Sequence, residues 1–162
     1  MIPWSKRPSE VRYLLNPAFC GRIIYSAILK YYKCSEQSFP LPLIYLILPL
    51  VLHKNTRELI HSRTAFTNWI QKNPKVLIGF SRRAREMVDI TNEAIEYLLQ
   101  AKYILINSNG EFIINTELKQ MSKTKFTNAE VKECISKAEH VGKWFANTVK
   151  IENIYISLGV RP

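Results

Sequence analysis

The chain has 162 residues, of which 47% are hydrophobic and only five are glycine. These values exclude a disordered or low-complexity protein and predict one domain, or two small lobes that share a core. The 23 basic and 13 acidic side chains give a formal net charge of +10, which favours an anionic partner such as nucleic acid or an acidic protein surface. A solvated basic surface without a dedicated ligand explains this charge equally well.

The first residues and the cysteines indicate the compartment. The start, MIPWSKRPSE, lacks the apolar segment of a signal peptide, which predicts a cytoplasmic protein. Residues 1–8 are expected to form an arm that leads into a short helix through Ser9–Leu15. Cys20, Cys34 and Cys134 are odd in number and show no C-x-x-C spacing. Reduced thiols are therefore expected, and a zinc site is not.

Asn16-Pro17 predicts the start of the first long helix, because asparagine caps helix N-termini and proline fits the first helical position. We expect this helix to run to about Lys33. Its polar residues form one narrow strip of Arg22, Ser26, Lys30 and Lys33. The rest of its surface is more apolar than a small monomer usually needs, so the helix either lies centrally or leaves a face for a partner.

The most apolar stretch of the chain is Leu41–Leu52, in which one tyrosine hydroxyl is the only polar side-chain group. A helix that is apolar on all sides must be buried. Its 12 residues are too few for a transmembrane helix, which needs about 20, so no membrane partner is predicted. Pro42 fits the first turn, whereas Pro49 is expected to kink the helix or to end it after Leu48.

Two short helices are predicted next, and they complete an N-terminal part of residues 1–73. Asn55 or Thr56 is expected to cap the first helix, which reaches about Ser62. The second helix is predicted to span Ala65–Lys72.

Residues 74–115 predict a winged-helix module, in which two helices are followed directly by a β-hairpin. Asn73-Pro74 starts the first helix, and Thr91 caps the second, which ends near Gln100. The segments YILIN and EFIIN then flank an Asn-Gly turn, which is typical of a tight hairpin because both residues tolerate positive φ. The inward residues of the first helix are predicted to be Leu77, Phe80, Ala84, Met87 and Val88.

This module lacks the charges of a DNA reader. A winged helix places the helix before the wing in the major groove, but here that helix carries Glu93 and Glu96 and no basic residue before Lys102. Because phosphates repel carboxylates, a protein-binding or structural role is favoured. Arg82, Arg83 and Arg85 point in different directions around their predicted helix, so they cannot all face one ligand. The residues that could contact a DNA backbone are Arg82, Arg83, Arg85, Lys119, Lys123 and Lys125.

Residues 116–162 are predicted to pack on the same core as the N-terminal part. Thr127 and Glu130 match a capping box, which opens an amphipathic helix. The last residues predict either a short helix that ends at Gly159 or a strand, because their periodicity does not decide. The apolar stripe of the amphipathic helix is predicted to contain Val131, Ile135, Ala138, Val141, Gly142 and Phe145.

No catalytic or cofactor-binding set is evident in the sequence. The three histidines lie on different predicted elements. Two carboxylate pairs, Glu86 with Asp89 and Glu93 with Glu96, share helix faces and could suit a hard metal ion, but carboxylates on a helix surface are usually solvated. No glycine-rich phosphate loop is present. We therefore predict a protein without metal, cofactor or enzymatic activity.

Several segments resemble one known family. They are LLNPAFCG at residues 14–21, FPLPLIYLILPLVLHKNTRE at 39–58, the winged-helix stretch, and KWFA…LGVRP at 143–162. Over nearly its whole length the chain resembles the middle component of three-component ABC-ATPase systems, including Lamassu-type anti-phage systems. The resemblance implies an accessory subunit without catalysis of its own, encoded between an effector, often a nuclease, and an ABC ATPase similar to SMC or Rad50 proteins. Ala101-Lys102 departs from the family, in which a glycine usually stops this helix.

The resemblance and the residues together predict a mainly α-helical winged-helix adaptor. It would dock on the SMC-like ATPase, couple DNA sensing to the effector, and touch DNA non-specifically through the complex. The alternative is a free-standing winged-helix DNA-binding transcriptional regulator.

Partner contacts are predicted at the turn within LPLVLHK-x-TRE and at the LGVRP tail. There Arg57 and Arg161 would offer planar, bidentate donors to acidic groups of the ATPase. The alternative for the turn is that Thr56 caps a helix and Arg57 pairs locally. The predicted partner-binding residues are Asn16, Pro17, Pro49, His53, Lys54, Thr56, Arg57, Gly159, Arg161 and Pro162.

Overall fold

The computed structural model describes residues 15–61, 63–121, 126–148 and 150–161, and the predicted N-terminal arm with its short helix lies outside these ranges. Within them the chain is mainly α-helical, with a two-stranded antiparallel hairpin after the first six helices, which confirms the predicted fold class. The elements are α1 (Pro17–Ser35), α2 (Leu41–Val51), α3 (Lys54–Glu58), α4 (Phe66–Lys72), a 3₁₀ turn (Pro74–Leu77), α5 (Phe80–Glu86), α6 (Val88–Gln100), β1 (Ile104–Ile106), β2 (Phe112–Ile114), α7 (Ala129–Ala146) and α8 (Ile151–Ser157).

Helix α1 begins where the sequence predicts and lies at the centre of the molecule. The side-chain oxygen of Asn16 accepts a hydrogen bond from the backbone N–H of Ala18 at 2.8 Å, and Pro17 occupies the first turn. Residues 23–28 are all buried, so several faces of this helix pack against neighbours. Buried residues from all three predicted parts of the chain join α1 in one continuous hydrophobic cluster.

Helix α2 is buried as expected, but the prediction that it ends after Leu48 is wrong. The helix continues through Pro49 to Val51, and the N–H of Leu52 donates to the carbonyl oxygen of Leu48 at 2.8 Å. A proline inside a helix costs about 3 kcal/mol. Leu50 and Val51 are fully buried, and each such burial contributes about 1.5–3 kcal/mol, which offsets the lost hydrogen bond.

Two glycines allow the helices around α1 to approach it closely. A Cβ atom on Gly142 of α7 would lie 2.1 Å from the backbone oxygen of Ala27, so only glycine fits this crossing. On the other side, a Cβ on Gly21 would lie 3.1 Å from the Tyr97 ring of α6, a side chain that can shift. The α1–α7 contact is therefore the tighter of the two.

The segment after α4 is broken more often than the sequence predicts. Pro74–Leu77 forms a 3₁₀ turn, Gly79 takes a left-handed conformation with φ of 69°, and α5 starts only at Phe80. Thr91 does not cap a helix, because it lies inside α6 with its buried hydroxyl donating to the carbonyl oxygen of Met87 at 2.8 Å. The single predicted helix from residue 74 to 88 is therefore wrong.

The hairpin forms at the predicted Asn-Gly turn. Gly110 has a φ of 76°, and the side-chain oxygen of Asn107 accepts from the N–H groups of Asn109 and Glu111 at 2.9 and 3.0 Å. Phe39 extends this sheet by exchanging two backbone hydrogen bonds with Phe112, at 2.7 and 2.9 Å. The small sheet is thereby tied to the segment that leads into α2.

Lysine takes the place of the glycine expected at the end of α6. Lys102 adopts the left-handed conformation with φ of 57°, and the N–H of Tyr103 returns to the carbonyl oxygen of Leu98 at 3.0 Å. This arrangement is a Schellman-type helix stop, which usually contains glycine. The chain can therefore end the helix and enter β1 without one.

Two details of the C-terminal part correct or decide the expectations. Asn128, not Thr127, caps α7, because its side-chain oxygen accepts from the N–H groups of Glu130 and Val131 at 2.8 and 3.2 Å. The tail forms the short helix α8, and Gly159 follows it with φ of 65°. Of the two alternatives for the tail, the helix is correct.

Candidate partner-docking site

The turn between α2 and α3 is capped by a histidine. Nδ1 of His53 accepts from the N–H of Thr56 at 3.3 Å and lies 2.8 Å from the Thr56 hydroxyl. The predicted cap at Asn55 or Thr56 is therefore wrong, and α3 ends at Glu58 rather than near Ser62. Burial, and then the positive charge of Arg83, lower the pKa of His53. Neutral imidazole is thus favoured, which suits its role as an acceptor.

Arg57 lies inside the molecule. Its side chain is only 3% exposed, and all three of its guanidinium nitrogens donate within the chain. Nη2 lies 2.6 Å from Glu130 Oε1 and Nε lies 3.0 Å from Glu133 Oε2, so two carboxylates of α7 bind one guanidinium. Nη1 donates to the carbonyl oxygens of Val51 and Leu52 at 3.1 and 3.4 Å. These two oxygens lie at the end of α2, where carbonyl groups have no partner within the helix.

These contacts explain the charge state of Arg57. Burial lowers its pKa, but the hydrogen bonds to Glu133 and Glu130 outweigh burial, so its pKa is raised above the ordinary value. A buried cation with two anionic partners is a structural clamp between α2, α3 and α7. The expected display of Arg57 to a partner does not fit this placement, and the alternative that Thr56 caps a helix while Arg57 pairs locally does not describe it either, because both carboxylate partners lie on the distant helix α7. Glu130 and Glu133 stand three residues apart on one helix, but this spacing does not identify Arg57 as their partner in the sequence.

Arg83 is also directed inward. Its Nη1 donates to the carbonyl oxygen of Ile78 at 3.1 Å and its Nη2 to that of Val76 at 3.2 Å, so it closes the irregular segment before α5. Nη2 also lies 3.5 Å from the hydroxyl of Thr56, and the guanidinium stacks 5.5 Å from the centre of the Phe80 ring. Burial, and then the positive charge of its neighbour in sequence, lower the pKa of Arg83.

A cleft of about 550 Å³ opens beside α5 and the C-terminal tail. The hydroxyl of Tyr155 donates to the carbonyl oxygen of Pro42 at 2.6 Å, which fixes α8 against the start of α2. The hydroxyl of Tyr45 donates to Asn92 Oδ1 at 2.9 Å, which links α2 to α6. We call this cavity the arginine cleft, and it is lined by Tyr45, Leu46, Ser81, Ala84, Arg85, Val88, Tyr155, Gly159, Val160 and Arg161.

The charges of the arginine cleft differ from those of the turn. Arg85 and Arg161 are both exposed, and within the described part of the chain neither has an acidic partner within salt-bridge distance. Leu46 and Tyr155 are buried, so the floor is apolar while the rim is cationic. Sequence reasoning found Arg161 and Gly159 here but missed Tyr45 and Tyr155, because a tyrosine in an apolar run gives no signal of a cavity.

The remaining predicted partner-binding residues are dispersed. Asn16 is exposed at the start of α1, Pro17 is half-buried beside it, and Pro49 is buried within α2. Lys54 is exposed and lies 3.9 Å from Glu58 in a surface ion pair. Pro162 lies outside the described residues. The structure thus joins His53, Thr56 and Arg57 in one network, and Gly159 and Arg161 in the cleft, but none of residues 53–57 lines that cleft.

Only part of the predicted DNA-contact set is placed at the surface. Arg82 and Arg85 are exposed on α5, and Arg82 lies 3.7 Å from Glu86. Lys119 is exposed in the connector after β2. Lys123 and Lys125 lie outside the described residues.

The described residues contain no cluster of three or more His, Cys, Asp or Glu side chains arranged for a metal ion. Glu86 is paired with Arg82, and Glu96 accepts from Gln100 at 3.0 Å. Burial, and then the charge of Glu93, raise the pKa of the Cys20 thiol to about 12, so this thiol stays protonated. Among the described helices, none has the length and apolar character needed to cross a bilayer.

The elements described so far define a mainly α-helical protein with a β-hairpin and a cationic surface cleft. The chain belongs to the family of the ABC-three component (ABC-3C) system Middle Component 3, whose model matches residues 4–162. It is therefore the middle component of a multi-component ABC system, which implies that it acts with partner components. No curated protein and no solved structure matches the chain significantly.

Proposed function

We propose that this protein is a non-catalytic accessory subunit that docks on the ABC ATPase of its own system. Membership of the Middle Component 3 family carries the proposal, because a middle component acts beside other components. The resemblance noted above implies an ATPase similar to SMC proteins, and an effector, often a nuclease, as the third component. The assembly would serve anti-phage defence of the Lamassu type, in which DNA sensing by the ATPase activates the effector.

The docking surface in this proposal includes the C-terminal tail rather than the turn at Arg57. Arg161 and Arg85 are exposed cations beside an apolar cavity, whereas the donors of Arg57 are used inside the molecule. Arginine is enriched where one protein surface anchors another, because its planar group pairs with carboxylates. The net charge of +10 would attract an acidic partner surface from a distance.

Contact with DNA is proposed to be through the backbone and only within the complex. The exposed basic groups on α5 include Arg82 and Arg85, while α6 before the hairpin carries Glu93 and the exposed Glu96. Phosphate contacts carry no sequence information, so affinity would be equal for all sequences and would fall steeply with salt. A preference for one operator-like sequence would support a free-standing regulator instead.

Co-purification tests the proposal directly. The tagged protein is expressed with the two other components of its system, and the complex is isolated after nuclease treatment. We expect the ATPase to co-purify, and the isolated chain to turn over neither ATP nor DNA with Mg²⁺ or Mn²⁺. Failure to recover the ATPase at low salt, or metal-dependent DNA cleavage by the purified chain that is lost in Glu93→Ala or Glu96→Ala, would contradict it.

A further inference from the structure

The arginine cleft has an apolar floor. Leu46 is 1% and Tyr155 6% exposed, and Ala84 is 6% exposed. Val88 of α6 and Val160 of the tail also line the cleft, and both are half-buried, so they leave apolar surface open to water. Covering the apolar surface that is still open to water favours binding of an apolar group, and a volume of about 550 Å³ accommodates several side chains.

The rim is cationic and suits an anion. Arg85 approaches the cleft from α5 and Arg161 from the tail, and no carboxylate within the described residues neutralises either. Guanidinium groups bind carboxylates and phosphates with paired, charge-assisted hydrogen bonds. By contrast, the nearby Arg82 has an acidic neighbour in Glu86 and does not line the cleft.

The combination of floor and rim decides between the possible partners. A sugar-phosphate backbone would satisfy the arginines but would leave the apolar floor without a complementary group. A second copy of this chain carries the same charge of +10, so its approach is opposed by repulsion. An acidic polypeptide segment with an apolar side chain satisfies both features at once.

We propose that the arginine cleft binds an acidic segment of another component of the system. An apolar side chain of this segment enters beside Tyr155, and carboxylates on either side of it pair with Arg85 and Arg161. This inference rests on the proposed function, since it needs a partner component, but it adds which surface and which chemistry the partner uses.

The cleft also joins two separate segments of the sequence that carry the family resemblance. Tyr45 and Leu46 belong to the apolar helix α2, and Gly159 and Arg161 belong to the LGVRP tail. These segments lie far apart in the chain, and the hydrogen bond from Tyr155 to Pro42 brings them together at 2.6 Å. Both motifs therefore contribute residues to the same surface.

Photo-crosslinking within the purified complex tests which partner occupies the cleft. Ser81, which lines the cleft, is replaced by p-benzoylphenylalanine, and Thr67, which lines a different cavity, receives the same replacement as a control. We expect Ser81→p-benzoylphenylalanine, and not the control, to give one crosslinked peptide from another component. Mass spectrometry should show Asp or Glu within a few residues of an apolar side chain in that peptide.

Charge reversal measures the contribution of the arginines. In complexes freed of DNA, Arg85→Glu and Arg161→Glu are each expected to weaken binding about tenfold or more, as for arginines that anchor interfaces. Arg82→Glu is the matched control, because it makes the same change on the same helix outside the cleft, and binding should change by about twofold or less.

Each other outcome overturns the inference in a distinct way. A crosslink to nucleic acid makes the cleft a nucleic-acid site, and a crosslink to a second copy makes it a self-interface. An intact complex without a specific crosslink at Ser81 places the partner elsewhere and leaves the proposed function standing. Equal loss in Arg82→Glu means that net charge alone is responsible. If no complex forms with any component, the proposed function fails and this inference fails with it.

Discussion

The turn at residues 53–58 and the C-terminal tail differ in how each uses its arginine. Arg57 in the turn is 3% exposed and binds two carboxylates and two carbonyl oxygens. Arg161 in the tail is exposed, and no ion pair holds it within the described residues. Both residues lie in segments that carry the family resemblance, and the sequence suggested the same docking role for both. The difference teaches that a distinctive motif identifies a family without telling whether its residues build the fold or contact a partner.

The largest effect on stability is expected when the buried side chain of Arg57 is removed. Arg57→Ala leaves Glu130, Glu133 and the carbonyl oxygens at the end of α2 without their cation. Breaking a buried ion pair costs about 3–5 kcal/mol, and the lower end applies because Glu130 remains 64% exposed and can be hydrated. Urea unfolding of the isolated protein measures this loss.

The neighbouring surface pair supplies the control for that measurement. Lys54 and Glu58 lie 3.9 Å apart and are both exposed, so Lys54→Ala should cost no more than about 1 kcal/mol. If Arg57→Ala costs as little as Lys54→Ala while weakening recovery of the ATPase, Arg57 is a docking residue after all. The contrast between turn and tail would then be wrong.

The second largest effect is expected where α7 crosses α1. Helix α7 also contains both carboxylate partners of Arg57. In Gly142→Ala the new methyl group would lie 2.1 Å from the backbone oxygen of Ala27, so the two helices must separate. Overpacking of this kind costs about 1–3 kcal/mol. Gly21→Ala is the matched control, because its nearest obstacle at 3.1 Å is a side chain. Thermal melts that rank Gly21→Ala as the more damaging change would contradict the packing described here.

Local signals predicted what local physics decides. Asn16-Pro17 starts α1, the apolar run forms α2, and Asn109-Gly110 turns the hairpin, since each depends on a few adjacent residues. Two of the misses are choices between neighbouring candidates for a helix cap. His53 caps α3 in place of Asn55 or Thr56, and Asn128 caps α7 in place of Thr127. In each case the side chain of a nearby residue accepts from the free N–H groups at the start of the helix.

The candidate site was predictable only in part, for a different reason. The partners of Arg57 are 73 and 76 residues away along the chain, and no local pattern reveals such a pairing. The arginine cleft likewise requires α2, α5 and the tail to meet, which is decided by packing of the whole chain. Arg161 was found because it stands in a recognisable motif, whereas Arg85 was assigned to DNA alone.

A smaller effect is expected from the titration of His53. Its pKa is lowered in the folded state by burial and then by Arg83, so the unfolded chain takes up a proton first as pH falls. The stabilising contribution of neutral His53 is therefore complete above its ordinary pKa of about 6.5 and is lost as pH falls toward the lowered value. His53→Asn keeps a helix cap and does not titrate.

Urea unfolding of both proteins between pH 7.5 and 5 checks this sign. The stability of the wild-type chain should fall relative to His53→Asn across that range, since the other histidines are shared and cancel. A difference that stays constant with pH would mean that Thr56 is bound equally well by charged and neutral imidazole.

The smallest effect on stability, and the clearest separation of tail from turn, is expected for Arg161→Ala. The side chain is exposed and has no ion pair within the described residues, so the free energy of unfolding should change by no more than about 0.5 kcal/mol. The same substitution should reduce recovery of the ATPase, because the lost guanidinium acts only between proteins.

Arg57→Lys completes the comparison, since it keeps the charge but cannot bind two carboxylates and two carbonyl oxygens together. It should destabilise the isolated chain, while the fraction that remains folded still binds. If Arg161→Ala instead lowers stability as Arg57→Lys does, the tail is a second structural clamp and Arg161 is not a free cation of the arginine cleft.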